Sequence, residues 1–543
     1  MARPQNWCAY LRVIFVMLVG FAVASPVNAA NWFKLRGTEP GGTAHTLQVW
    51  GFLQPTWAKD YSDKIEGAVG ALAPANGTLP VQGTLPPDRT SQESFSMRRA
   101  RIGIRGTMLP INNDIDYFML TEWGENGITR AGGAATLLDA SVTFNQLSRG
   151  TDDDGLANLG GRIRVGQFLF SQTSQALSQS TPGRRVHVYM PEATFQSAIR
   201  RYANDNGRHN WPEDEVPANG ARDIGIELFD WAEFKDPIFG GDGPLEFTYS
   251  LGVGNGGTIG ELNRDDNYRQ YYWLSLAKLF DETRGARRHD MMVYGFYQKG
   301  DISFNDDIDG DGVSDRTAPL NLNPGNILNP PMVTNVLPTD AANRKNPISC
   351  GNRVCKNGNE KDYEQKYYGV GFEYFDKPFD SLGQIRFEAE WQKMKGLIFD
   401  GAQSPSAGVN DNAGGFDSIL YDDGDFVGGD GKERESEGWY VDVGYDIHQH
   451  LGLKNRTTLN LRYDEFDRNK GNKAREANWE TWTLTGEYFF HKKARLTATY
   501  QFRDASADNR TGGAKTNGNA VLDQVDNRIG LQLTFVFKNV LLR

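Results

Sequence analysis

Residues 94–122 read SFSMRRARIGIRGTMLPINNDIDYFMLTE, two period-2 runs joined by the polar turn LPINND. In the first run Arg98, Ala100, Ile102, Ile104 and Gly106 share one face, and Met97, Arg99, Arg101, Gly103 and Arg105 share the other. Successive strand residues point to opposite sides, so one face is mostly apolar and the other mostly arginine. The second run sets Ile115, Tyr117, Met119 and Thr121 against Asp116, Phe118, Leu120 and Glu122. An arginine face must meet water and its opposite face must meet something apolar. A soluble sandwich and an outer-membrane barrel both satisfy this; in the barrel, the apolar face meets lipid and the arginines line a wet lumen.

The rest of the chain favours the barrel. Alternation recurs in sixteen segments of membrane-crossing length, among them Leu138–Leu147, Arg162–Leu169, Asp223–Phe229, Pro244–Gly254, Gln384–Lys393 and Asn527–Phe537. In Leu138–Leu147 the expected outward set is Leu138, Ala140, Val142 and Phe144. Short spacers such as HKK alternate with long ones such as Ala58–Glu93, Gly300–Glu364 and Gly396–Glu437, the turn-and-loop rhythm of such barrels. Strand direction then requires Phe170–Arg222 to be one long external loop, which brings the total to an even sixteen. The expected fold is an all-β transmembrane antiparallel barrel of about 16 strands with an aqueous interior.

The chain begins with a basic start (Arg3, Arg12), an apolar run Val13–Ala24 and the small-residue site Val27-Asn28-Ala29, so residues 1–29 read as a secretory signal peptide. Its loss takes the formal net charge from -11 to -13 as the two arginines leave. Residues 30–45 read as a lead-in, 46–537 as the barrel and 538–543 as a short tail. Aromatic content of 12% and 61 glycines, with no linker or composition break, fit one large β architecture.

Four groups of residues could carry function. Arg99, Arg101, Arg105, Arg162, Arg164, Arg386, Arg462, Arg495 and Arg503 should face the lumen, where rows of guanidinium groups attract anions. Asp139, Glu246, Glu373, Glu388, Glu390, Asp442 and Glu487 should face it too, so the competing reading is a wall of paired charges. The loop 170–222 carries Ser171–Ser180, Arg184, Arg185 and His187, donors for an anion if it folds inward. Asp307, Asp309, Asp311, the Val313 carbonyl and Asp315 have the spacing of a weak Ca2+ loop; Ala318 stands where a full loop has its last glutamate. The alternative there is a solvated acidic turn. Cys350 and Cys355 lie in an external loop of an exported chain and suit a local disulfide, with free thiols as the alternative. No cofactor is required by any motif. The chain lacks G-x-S-x-G, H-E-x-x-H and a Gly-rich phosphate cradle, so enzyme readings find no support, and no basic tract suggests nucleic acid.

The stretches MRRARIGIRG (97–106), DIDYFMLTEW (114–123), LLDASVTFNQL (137–147), RVGQF (164–168) and TLTGEYFFHKKARLTATYQF (483–502) resemble the phosphate-selective porins O and P of Gram-negative outer membranes. The resemblance implies a sixteen-stranded, trimeric, anion-conducting porin set in outer-membrane lipid, with an inward-folded third loop. Phosphate as the solute does not follow from it. The C-terminal alternation Ile529, Leu531, Leu533, Phe535, Phe537 is like the closing strand of such barrels, except that Lys538–Arg543 extend past the aromatic. Two other roles compete: a barrel sheath for a periplasmic multihaem cytochrome, and a surface adhesin working through its acidic loops.

Overall fold

The computed structural model describes sixteen strands with their immediate flanks, and Phe33 and Leu177 as isolated positions. The longer stretches outside the description are 1–32, 34–46, 62–92, 125–134, 148–159, 178–221, 257–266, 306–359 and 396–434. The strands are β1 (Leu47–Asp60), β2 (Glu93–Met108), β3 (Asn112–Glu122), β4 (Thr136–Phe144), β5 (Arg162–Leu169), β6 (Arg222–Phe234), β7 (Leu245–Gly254) and β8 (Arg269–Leu279). They continue as β9 (Asp290–Asn305), β10 (Glu360–Asp376), β11 (Ile385–Lys395), β12 (Glu435–Asp446), β13 (Thr457–Arg468), β14 (Ala477–His491), β15 (Ala494–Ser506) and β16 (Arg528–Leu542).

Each strand pairs antiparallel with its chain neighbours, and β1 pairs with β16, so the sheet closes into a barrel. Closure removes every edge, which is what lets a sheet stand in hydrocarbon without unpaired backbone groups. The closing seam runs further than the alternation of the last strand implies. Residues 538–542, expected as a tail, continue β16 and pair with the start of β1, from Trp50↔Lys538 to Leu47↔Leu542. Backbone groups of β1 below Gly51 would otherwise stand unpaired at the membrane boundary.

The outside of the barrel is apolar and the inside polar. On β2, Ile102 is 45% exposed while Arg101 is 2% exposed. On β7, Leu251 and Val253 face out, and Glu246, Thr248 and Ser250 face in. Outward aromatics form belts: Tyr272, Tyr297, Tyr368 and Trp391 touch in sequence across β8–β11, with centroids 6.0, 6.3 and 5.9 Å apart. Nearer the short turns, Phe280, Tyr374, Phe372 and Phe387 form a second chain of contacts. An apolar band between two aromatic girdles is the surface that a bilayer matches. Among the described residues no helix is long and apolar enough to cross a membrane; the strands do the crossing. The chain is an outer-membrane barrel of the Gram-negative type.

One expected outward residue turns in. The β3–β4 register shifts between Leu120 and Thr121, which face Asp139 and Leu137. The bulge leaves Leu138 unpaired and carries it inward, fully buried against Phe118 and Leu120. At Gly166 a positive φ of 130° and the Ala140 carbonyl beneath leave no room for a Cβ.

Candidate functional site: the inner wall

The arginine face of β2 does line the interior. Arg99 Nε donates to Gln54 Oε1 at 2.5 Å, Arg105 Nε to Gln48 Oε1 at 3.0 Å, and Arg101 Nε to Glu122 Oε2 at 2.5 Å. Arg101 and Glu122 are direct cross-strand partners, and both are buried. Glu122 also accepts the amides of Ala100 (2.8 Å) and Gly124 (2.9 Å) through its other oxygen.

Pairing recurs around the wall. Arg162 meets Asp230 at 3.2 Å and lies over the Trp231 ring, and Arg164 meets Glu227 at 3.1 Å and lies over Phe229. On the far side Arg386 bridges Glu388 and Asp442, each at 3.1 Å. Arg462 holds Asp464 at 2.5 Å, Arg495 holds Glu487 at 3.0 Å, and Arg503 reaches Asp60 at 2.5 Å across β16. Of the two sequence readings, the paired wall describes most of these arginines. The expected inward acids Asp139, Glu246, Glu373, Glu390, Asp442 and Glu487 are all buried, and Glu388 lies on the same side. Such pairs tie neighbouring strands together and damp any one-sign field.

The third loop starts inside the barrel. Ser171 Oγ donates to Ser250 Oγ at 2.7 Å, which in turn donates to Glu227 Oε1 at 2.8 Å, and the Ser171 carbonyl accepts Gln298 Nε2 at 3.2 Å. The Phe170 ring stacks on Tyr271 at 4.2 Å and fills the space that Gly252 leaves open. Ser171, Thr173 and Leu177 are fully buried. Arg184, Arg185, the Asp307–Asp315 group, Cys350 and Cys355 lie outside the described residues. Among the described residues no group of three or more His, Cys, Asp or Glu is placed to hold a metal ion.

Two features went unread in the sequence. Arg222, at the start of β6, is fully buried and donates twice to Asp139 Oδ2, each at 3.0 Å. And the inner face of β8–β10 is aromatic. Trp273 stacks on Tyr294 at 4.6 Å with planes 12° apart, and Phe296 meets Tyr367 edge-on at 5.0 Å. The Tyr294 and Phe296 rings cover Gly371 and Gly369 on the neighbouring strand, where a Cβ would collide with them. Phe33, from ahead of β1, packs its ring on Phe229 at 5.7 Å and Trp273 at 6.1 Å.

A sheet of sixteen strands closes to about 30 Å across, wide enough for an aqueous path rather than only a packed core. This is a closed sixteen-stranded antiparallel barrel. No protein-family profile matches its sequence, and no curated protein matches it either. Among solved structures, the barrel is similar to OprB of Pseudomonas putida, at 8% identity over 91% of this chain and 94% of that one, with a TM-score of 0.44. It is also similar to the trimer form of OmpT of Vibrio cholerae, at 9% identity over 91% of this chain and 100% of that one, TM-score 0.40. OccAB1 of Acinetobacter baumannii aligns at 10% identity over 93% of this chain and 99% of that one, TM-score 0.35.

Proposed function

We propose that the chain is a non-enzymatic diffusion channel for small solutes, anion-preferring and of the phosphate-selective porin O/P type, working as a homotrimer. The observation that carries the reading is the arginine face of β2 turned into the lumen of a closed barrel whose outside is apolar. Arg99 and Arg105 each donate to a glutamine, Gln54 and Gln48, which helps orient their guanidinium groups. The paired arginines elsewhere make the preference modest. Phosphate competes weakly, because most inward cations already have a carboxylate against them. A Ca2+ ion held by Asp307, Asp309, Asp311, Val313 and Asp315, and a Cys350–Cys355 disulfide, would stiffen the long loop between β9 and β10.

Liposome swelling tests the channel directly. Vesicles holding the purified protein should swell in small sugars and amino acids and stay rigid in oligosaccharides. No swelling with any solute would remove the channel reading. The cytochrome-sheath alternative needs a lumen open to a second protein, and Phe170 and Ser171, packed on Tyr271 and Ser250 of the inner wall, weigh against it.

A further inference from the structure

Arg269 is an inner-wall cation whose side-chain partner among the described residues is neutral. Arg269 begins β8 at the long-loop end, is 2% exposed, and donates from Nη2 to Gln365 Oε1 at 2.7 Å. Its Nε and Nη1 are buried and meet no acceptor among the described residues. Buried guanidinium N–H groups are costly to leave unpaired, so an anion reaching Arg269 would meet two donors there. Asp223, the acid on this part of β6, makes no ion pair with Arg269. It is committed to Tyr271 Oη at 2.8 Å and to the amides of Gly256 and Ile224 at 2.7 and 2.8 Å. Gly300 and Gly256 pack directly against Arg269, and a Cβ at Gly300 would crowd its stem.

Below Arg269 the wall is aromatic. Gln365, which Arg269 holds, sits one inward step above Tyr367, a rise of about 7 Å along the strand. That span suits a carboxylate on Arg269 and a ring against the Tyr367–Phe296 pair. Further down, Trp273 and Phe229 already hold a ring that is not part of the wall, the side chain of Phe33. The strip therefore takes a ring presented from the lumen.

We propose that the β8–β10 strip, headed by Arg269, binds solutes that carry both a flat ring and a carboxylate: aromatic monocarboxylates. The proposal rests on the channel reading and names its substrate class. A fully hydrated inorganic anion gains nothing from the rings, whereas an aromatic acid meets both halves of the strip.

The test is block of KCl current in planar bilayers by benzoate, acetate and inorganic phosphate. Benzoate should half-block at a concentration roughly two- to tenfold below acetate, the factor that ring stacking supplies. Trp273→Leu should bring benzoate close to acetate, and Arg269→Gln should weaken both while keeping their ratio. Phe33→Ala, which empties the ring site, should strengthen benzoate block. Each variant is first shown to be a heat-modifiable barrel with KCl conductance. Equal block by benzoate and acetate in a conducting wild-type channel would overturn the proposal and leave the porin reading standing. Unchanged benzoate block in both Trp273→Leu and Phe33→Ala would also overturn it. Absence of KCl conductance in the wild type would remove the channel reading and this proposal with it.

Discussion

Replacing Glu122 by Gln removes one of the two charges of the Arg101–Glu122 pair while nearly preserving its shape. Both side chains are buried, and the 2.5 Å contact shows how fully the carboxylate offsets the guanidinium. The stability cost of leaving a buried charge uncompensated is about 3–5 kcal/mol. The barrel should tolerate it, because β2 and β3 keep their cross-strand ladder from Arg101↔Glu122 to Met108↔Asn112. The effect on selectivity follows from Coulomb's law. For a permeating ion about 8 Å away, unmasking one charge is worth roughly 0.5–1 kcal/mol at an effective dielectric constant of about 40–80. One Debye length of screening leaves about a third of that, or roughly 0.2–0.4 kcal/mol. Anion and cation move in opposite senses, so the permeability ratio should rise about two- to fourfold. In a tenfold KCl gradient, where ideal selectivity gives about 59 mV, this is a shift of roughly 15–25 mV toward the chloride potential. The assay is reversal potential of single reconstituted channels, with Arg101→Gln as the control that should move the potential the other way. A Glu122→Gln shift toward the potassium potential would refute the claim that this pair faces the conducting path.

Further outcomes follow from the same wall. Cysteines at Ile102 and Val253, both outward and near half-exposed in the structure, should be shielded by lipid from an impermeant thiol reagent in intact membranes; labelling there would reverse the assigned faces. Removing the ring of Tyr294, which covers Gly371 and stacks on Trp273, should lower barrel stability by about 3–5 kcal/mol in urea unfolding. In the loop between β15 and β16, hydrogen bonds from Asn519 and Lys515 hold the Asp508 carboxyl below its usual range. A depressed carboxylate stabilises above its unfolded pKa of about 3.9 and loses that contribution as pH falls through the folded value. Titration followed by NMR should therefore place Asp508 below free aspartate, and Asn519→Ala should raise it. Millimolar Ca2+ should slow proteolysis within 306–359, and Asp309→Asn should abolish that protection.

The barrel was legible because alternation fixes which side chain faces which way, and closure follows once sixteen strands each need two neighbours. Partners were less legible. Arg462 stands across from Asp442 in the register, yet its guanidinium takes Asp464 on its own strand and Asp442 goes to Arg386. Periodicity assigns faces, and only side-chain reach decides between two acids on one face. The aromatic strip stayed hidden for a different reason. Strand β8 reads RQYYWLSLAKL, with Tyr271 and Trp273 turned in and Tyr272 and Leu274 turned out, so neither face looks polar. Leu138 escaped because a bulge breaks the period that placed it outside. Arg222 and Arg269 sit at the first residues of their strands, where alternation has no earlier residue to anchor it.

The measurement that bears most directly on the account is the reversal potential of the wild-type protein in a planar bilayer under a KCl gradient. An arginine-faced, largely ion-paired wall predicts an open channel with a modest chloride preference, reduced when Arg99 and Arg105 are both changed to Gln. A potassium-preferring wild-type channel, or one whose selectivity ignores those two substitutions, would contradict the role given to the β2 arginines.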